Sequence, residues 1–599
     1  MESRSRRFAQ HVRESPMAPH VRGGGRHGGA KTCSFVLLLQ LFVAILCFGM
    51  LVQWWKWSPT ALVEKNVLHG AASAAPATIA PTLAAAPNLR AEGDAAIATT
   101  SAAPAVTTAT ASAAALGAGV TVAPVAGIPL TPAEQAQRRM QYSSANHNED
   151  QRKVVDMIKW AWGGYERFAF GHDSLNVNTM TGTGLPDHDM ALTLVDSLDT
   201  LFIVGMFEEF DRASEWVKTN MDARIFHTGF ISFFETTIRL LGSLLSTYQL
   251  SGHPHMLALA DKLGDALSPA FSINYHGMPD KDYDIMRKTS REASSLAEVG
   301  TLQMEFKYLA RLTGKQAYVD QVERIMDSLA KDVKEHFKDG LLPVQINQHT
   351  GRIAAHSKVT LGAMGDSYYE YLLKQWLLSG KKETKYKEQY LIAVEGIKAK
   401  LVAKSEPNGL VFIGELVNGK LDPKMDHLVC FVPGMLALGY MNGMPKDHLD
   451  LAEQLAETCY QMYAQMATKL APEIMYFNMK KGGTEDLDVH PLDAFNLLRP
   501  ETVESLMYLH RITKKPKYRE HGRKIMEAFE RECKLDRGGY TSISNVAKGP
   551  AKKRFRAEME SFFIAETLKY LFLLFSDDSV LPLDEIVFNT EAHPFQIAK

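Results

Sequence analysis

The sequence predicts an all-α domain of stacked helical hairpins closed into a toroid, carried behind one membrane-spanning helix and an extended stem. Three observations lead there. From about Ala145 to Lys599, apolar residues recur at helical spacing, with Gly, Pro and Asn as punctuation and few alternating strand patterns. The same long stretch contains a weak internal repeat in which an apolar helix, a short polar turn and a more polar helix follow one another. The first quarter of the chain has a different composition altogether. Over all 599 residues, 46% are hydrophobic and 22% charged, which excludes a wholly disordered or collagen-like chain. With 66 Lys and Arg against 68 Asp and Glu the formal net charge is −2, so the chain is no polycationic nucleic-acid binder.

Residues 1–32 form a basic tail, with Arg4, Arg6, Arg7, Arg13, Arg22, Arg26 and Lys31 against Glu2 and Glu14. Residues 33–55, CSFVLLLQLFVAILCFGMLVQWW, carry no charge and end on Trp54 and Trp55. Roughly 20 apolar residues span a bilayer as a helix, and the run exceeds the h-region of a cleaved signal peptide. The positive tail is expected in the cytosol and the rest of the chain in a lumen, the topology of a type II signal-anchor protein. Residues 56–144 read as a stem: Ala, Thr and Pro dominate from about Ala71 to Pro132, and too few large apolar side chains are present to offset the chain entropy of folding. The folded helical domain is expected over residues 145–599.

The repeat is marked by its turns, LSGHPHM, LTGKQAY, LSGKKET and ITKKPKY, each following an apolar helix. The leading acids of those helices are Glu235, Glu298, Asp366 and Glu501, separated by 63, 68 and 135 residues. The skipped repeat falls at DHLVCFVPG, with His427, and a last copy, MESFFIAETLKYLFLLF, supplies Glu560 and Glu566. Closing such hairpins into a toroid gathers the inner-helix starts at one end, which becomes lined with carboxylates. Acids also favour helix N-termini for the macrodipole alone. That plainer explanation suits any single one of them better than it suits the set.

Clustered carboxylates in a cleft shift one another's pKa, as general acid and base catalysis requires. With no Ser/His/Asp signature, phosphate loop or dinucleotide fingerprint, glycoside hydrolysis is the leading chemistry. The acids could also surround a hard cation such as Ca²⁺, though no EF-hand loop is present and spacing alone does not mark a calcium site. Of the five cysteines, Cys33 and Cys47 lie in or beside the spanning helix; Cys430, Cys459 and Cys533 allow one disulfide and one free thiol without fixing the pair.

The strings DSLDTL, FFETTIRLLG, GDSYYEYLLKQW, DHLVCFVPG, LLRPETVESL, ESFFIAETLKYLFLLF and VFNTEAHP, spread from about Ala145 to Phe595, resemble the signature segments of class I α-1,2-mannosidases, glycoside hydrolase family 47. The resemblance implies an (α/α)7 barrel, dependence on Ca²⁺, and inverting removal of terminal α-1,2-linked mannose from high-mannose N-glycans during glycoprotein maturation. It implies catalytic roles for Glu235 (general acid through a water), Asp366, Glu473 and Glu501 (general base). It implies sugar and water-mediated contacts from Arg239, His427, Arg499, Phe562, Glu504, Glu566 and Glu591. Thr590 is the implied direct Ca²⁺ ligand, and Cys430 and Cys459 the implied disulfide.

Met364, two residues before Asp366, stands where endoplasmic-reticulum-type members carry Arg and Golgi-type members an apolar residue, so a Golgi membrane location is expected, with the endoplasmic reticulum as the alternative. The competing function is a glycan-binding factor of the same fold acting in glycoprotein degradation. Such relatives generally lack the Cys430 and Cys459 equivalents and carry a long extension after VFNTEAHP.

Overall fold

The computed structural model describes residues 130–184, 189–227, 229–549 and 555–599. The chain divides into two units, 1–112 and 113–599. The first, with the basic tail, the expected spanning helix and much of the stem, lies outside the described residues, and among the described residues no helix is long and apolar enough to cross a membrane.

The second unit alternates two kinds of helix. Glu149–Ala169, Phe207–His227, Pro254–Leu267, Gln316–Glu335, Thr384–Lys400, Lys446–Ala464 and Lys517–Glu532 form one set. In Gln316–Glu335 the buried Tyr318, Val319, Val322, Ile325, Met326, Leu329 and Val333 make one apolar stripe, so such helices rest one face on the core and wet the other. The intervening helices are Leu198–Ile203, Gly242–Ser251, Gln303–Thr313, Asp366–Leu378, Val432–Met441, Glu501–Thr513 and Lys569–Phe575. These are buried nearly all round: every residue of Lys569–Phe575 is buried, as is every residue of Asp366–Leu378 after the first. Each contacts the next, and the π-helical turn Phe563–Leu568 ahead of the last returns to Leu198–Ile203, so the inner ring closes on itself. Helices that are apolar on all sides need this double layer, since burying each large apolar side chain contributes about 1.5–3 kcal/mol.

The ring is helical, but its connections are not. Leading from outer to inner helices are short antiparallel ladders, such as Phe230–Ser232 with Asp282–Asp284 and Lys424–Asp426 with Ile474–Phe477. Strands of two to four residues are too short to show alternation, which is why the sequence reads as all-α. The last ladder, Ile586–Phe588 with Pro594–Gln596, carries fully buried Phe588, Asn589, Ala592, His593 and Phe595. Its tip is tied to the inner ring: Asn589 donates to the Ile238 carbonyl at 2.9 Å and to Glu305 at 2.8 Å.

Ordered structure also begins before Ala145. Pro132–Gln141 is helical, opened by a Thr131/Glu134 capping box with Pro at the first position, and Arg138 donates to the Leu250 carbonyl at 3.2 Å. The C-terminal end of the segment expected as stem is thus part of the folded unit. Cys430 and Cys459 form the disulfide, joining an inner-ring start to the outer helix Lys446–Ala464, and Cys533 is free and buried.

Candidate active site

A recess of about 290 Å³ opens where the inner helices begin, lined by Glu235, Glu298, Asp366, Glu501, Glu504, Glu566 and Glu591 together with Arg239, Arg499, Phe562, Met364 and Thr590. The expected gathering of repeat starts is therefore present. The acids nevertheless do different things. Glu298 closes a capping box with Ser295, accepting the Ser295 N–H at 2.6 Å, which is the helix-terminus role of an acid. Asp366 and Glu501 head helices whose N-cap residues, Gly365 and Pro500, make no side-chain cap, and neither carboxylate closes a capping box as Glu298 does.

Glu501 is held by an imidazole. His427 Nδ1 lies 2.7 Å from Glu501 Oε2, and His427 Nε2 lies 2.8 Å from the Tyr463 hydroxyl. Burial raises the Glu501 pKa, but the His427 hydrogen bond and the charges of His427 and Arg499 outweigh it and hold the group below the usual carboxylate value. Glu473 does not line the recess. Its carboxylate takes the Arg499 Nε at 2.8 and 2.9 Å, and its carbonyl accepts the His427 N–H at 2.8 Å. It fixes the two residues that flank Glu501.

Across the recess Arg239 reaches Glu235 at 2.7 Å, Glu591 at 2.6 Å and buried Asp196 at 3.6 Å. Arg239 and Arg499 both stand over the Phe562 ring, at 5.6 and 5.7 Å from its centroid. Arg239 and Glu566 sit in π-helical turns, Thr236–Leu241 and Phe563–Leu568, a widening of the helix that often accompanies function. Met364, Leu498 and Ala592 adopt left-handed φ of 80, 65 and 59° beside Asp366, Arg499 and Glu591. Each such non-glycine residue costs on the order of 1–3 kcal/mol, strain that collects at sites where side-chain aim matters. Gly365 must be glycine, because a Cβ there would stand 2.3 Å from the Thr360 carbonyl oxygen.

Asp366 is pushed to about 8, first by its recessed position and then by the charges of Glu370, Glu501 and Asp426. Deeper in, burial raises Glu504 to about 8, and burial with the neighbouring Glu591 carboxylate drives Glu566 far upward. Buried Lys374 pairs with Glu370, approaches Glu504 at 3.9 Å and donates to the Asn589 carbonyl at 3.3 Å, next to Thr590. Among the described residues no three Asp, Glu, His or Cys converge closely enough to hold a metal by themselves. The Thr590 hydroxyl and carbonyl, with the carboxylates of Glu504, Glu566 and Glu591 in the same recess, are nonetheless a hard-oxygen donor set of the kind Ca²⁺ takes, with water completing the shell.

The glycosyl hydrolase family 47 model matches residues 157–597. The chain belongs to glycosyl hydrolase family 47. Endoplasmic reticulum mannosyl-oligosaccharide 1,2-alpha-mannosidase of Mus musculus is 47% identical over 457 residues, covering 75% of this chain and 68% of the relative. A mannosyl-oligosaccharide 1,2-alpha-mannosidase of Arabidopsis thaliana is 42% identical over 75% of this chain and 79% of its own length. Among solved structures, the alpha-1,2-mannosidase from Trichoderma reesei superposes with a TM-score of 0.69 at 26% identity, covering 75% of this chain and 99% of that one.

Of the residues expected in the site of this family 47 chain, Glu235, Asp366, Glu501, Arg239, Arg499, Phe562, Glu504, Glu566, Glu591 and Thr590 line one recess, while His427 and Glu473 stand against its walls. Sequence reasoning passed over Glu370 and Lys374. They follow Asp366 at i+4 and i+8 on an otherwise apolar helix, and three charges on one buried face were the available signal. It also passed over Asp426, which accepts the Ala363 N–H at 3.2 Å and so shapes the turn before Asp366.

Proposed function

We propose that this enzyme, a mannosyl-oligosaccharide 1,2-α-mannosidase of family 47, uses Asp366 as general acid and Glu501 as general base to hydrolyse terminal α-1,2-linked mannose from high-mannose N-glycans with inversion. The observation that carries the reading is the split between two carboxylates in one recess: Glu501 is held ionised by His427 and Arg499, Asp366 protonated by burial and its acidic neighbours. Groups whose surroundings drive their pKa values apart are the ones that divide acid from base.

Glu501 accepts the proton of the attacking water while Asp366 gives its proton to the departing glycosidic oxygen, so the carboxyl charges exchange over one turnover. Arg239 and Arg499, pinned by Glu235 and Glu473, present their remaining N–H groups to sugar hydroxyls over the Phe562 ring. A recess of about 290 Å³ suits a single terminal sugar. Thr590 would hold Ca²⁺ directly, and Glu504, Glu566 and Glu591 through water; the ion would serve as a template that orients water and sugar hydroxyls. The glycan-binding alternative has no use for an acid and a base poised in this way.

We further propose that residues 33–55 anchor the enzyme in a secretory membrane with this unit lumenal. The apolar Met364, 45% exposed at the recess, favours a Golgi-type enzyme, whereas the similarity to endoplasmic-reticulum enzymes favours the other compartment. Digestion of a full high-mannose N-glycan tests both points. Loss of α-1,2-linked mannose alone is expected, and release of any other linkage, or of nothing, would overturn the reading. Trimming that runs through all α-1,2 branches supports the Golgi type, and a stop after one mannose the endoplasmic-reticulum type.

A further inference from the structure

A second cleft, larger than the catalytic recess at about 860 Å³, lies on the same end of the ring. Its walls come from two connections that lead to inner-ring starts: residues 336–359, ahead of Asp366, and 416–419, ahead of His427. Both therefore run over the end where the recess opens. Leu416 and Val359 exchange backbone hydrogen bonds at 3.0 and 2.9 Å, and Thr360 donates to Glu415 at 2.8 Å, so the two connections form one surface. Val359 lines the cleft and Ala363 the recess, four residues further along. A fully extended chain spans at most about 14 Å over that interval, which is within the reach of a few linked sugar rings.

The lining is amphipathic in the manner of a pyranose. Phe337, Leu341, Pro343 and Leu416 supply apolar surface, while exposed His356 and Asn418 make no hydrogen bond to protein among the described residues. The wall between cleft and recess is fixed at several points: Val344 donates to the Lys358 carbonyl at 3.0 Å, Leu296 to that of Val344 at 2.9 Å, and Ala297 to that of Met364 at 2.9 Å. The connection that walls the cleft at Val359 thus runs on, held in place, to line the recess at Ala363.

We propose that this cleft binds a second branch of the same high-mannose oligosaccharide, one that is not being cut, and so helps to choose which terminal mannose enters the recess. The substrate is branched and the recess takes only one terminus, so the other arms must lie over this end of the ring. A neutral, hydroxyl-rich ligand with apolar ring faces matches a lining of apolar side chains, the unengaged His356 and Asn418, and a Lys400–Asp339 pair whose charges cancel, and the connection shared with the recess favours the glycan over the polypeptide that carries it. The inference rests on the α-1,2-mannosidase reading, which turnover of an α-1,2-linked mannobioside by the unaltered enzyme tests separately.

The test compares three substrates in the full chain: the mannobioside, too short to reach the cleft, a free high-mannose N-glycan, and a glycoprotein bearing it. Two variants are used, the double replacement His356→Ala with Asn418→Ala, and Ala355→Trp to fill the cleft. Loss of two hydrogen bonds should lower kcat/KM for the free glycan about tenfold, chiefly through KM. The mannobioside rate, which reports on the recess and on folding, should stay the same, and the order of branch removal should change. Unchanged kcat/KM for the free glycan in both variants would overturn the proposal, including the case where only the glycoprotein is affected and the cleft serves a polypeptide. An equal loss on mannobioside and glycan would overturn it too.

Discussion

His427 sets its Nδ1 2.7 Å from the Glu501 carboxylate while Tyr463 engages Nε2 at 2.8 Å, so an imidazole fixed on both sides steadies one acid among many. The disulfide Cys430–Cys459 lies beside this relay, three residues after His427 and four before Tyr463. The imidazole that holds Glu501 is thus braced next to the cross-link between an inner-ring start and an outer helix.

The pH dependence of kcat/KM follows from the two carboxylates. Glu501 must be unprotonated to accept a proton, so activity falls as the pH drops through its value, below the ordinary 4.5. Asp366 must be protonated to donate, so activity falls as the pH rises past about 8. A bell with these limbs is expected from initial rates on a mannobioside, and the alkaline limb should vanish in the residual activity of Asp366→Asn.

Glu501→Gln keeps the size and removes the base. The turnover number should fall by about 10²–10⁴ while glycan binding, followed by calorimetry, changes little. Tyr463→Phe, which leaves His427 Nε2 only the longer Thr502 hydroxyl contact at 3.4 Å, should produce a smaller loss at unchanged binding. Full turnover in Glu501→Gln would remove that residue from the chemistry.

Lys374 is a buried cation shared by Glu370, Glu504 and the Asn589 carbonyl. Lys374→Met leaves buried carboxylates without their counter-charge and should lower stability by about 3–5 kcal/mol in denaturant titration. A loss below about 1 kcal/mol would mean that the acids are neutral in the folded protein.

The disulfide closes a separation of 29 residues. Cys430→Ser should cost about 3 kcal/mol of stability under non-reducing conditions, measured by the same titration.

Chelation of Ca²⁺ should abolish release of mannose and lower the melting temperature, and added Ca²⁺ should restore both in proportion to its concentration, as mass action on the native state requires. A melting temperature indifferent to Ca²⁺ would separate Thr590 from the metal.

Much of this was legible in the sequence because the repeat is. Helical periodicity locates the inner helices, and the regular return of an acid at their starts locates the recess. What the periodicity could not separate is the use of each acid. Glu298 and Glu501 look alike as acids near helix starts, yet Glu298 bonds back to Ser295 while Glu501 finds His427 through a contact between residues 74 apart in the chain. Long-range pairing of this kind leaves no local trace. The same holds for Lys374, whose partners Glu504 and Asn589 come from another inner helix and from the tip of the last ladder, and for the π-helical turns that aim Arg239 and Glu566. The short ladders between helices were invisible because two to four residues cannot show a period.

The most direct test of the central claim is the anomeric form of the first sugar released, followed by proton NMR as the full chain acts on an α-1,2-linked mannobioside in the presence of Ca²⁺. With Glu501 activating the water and Asp366 protonating the departing glycosidic oxygen, a single displacement yields β-mannose first, which then mutarotates. Release of α-mannose first would mean a covalent intermediate on one of these carboxylates and would contradict the division of roles.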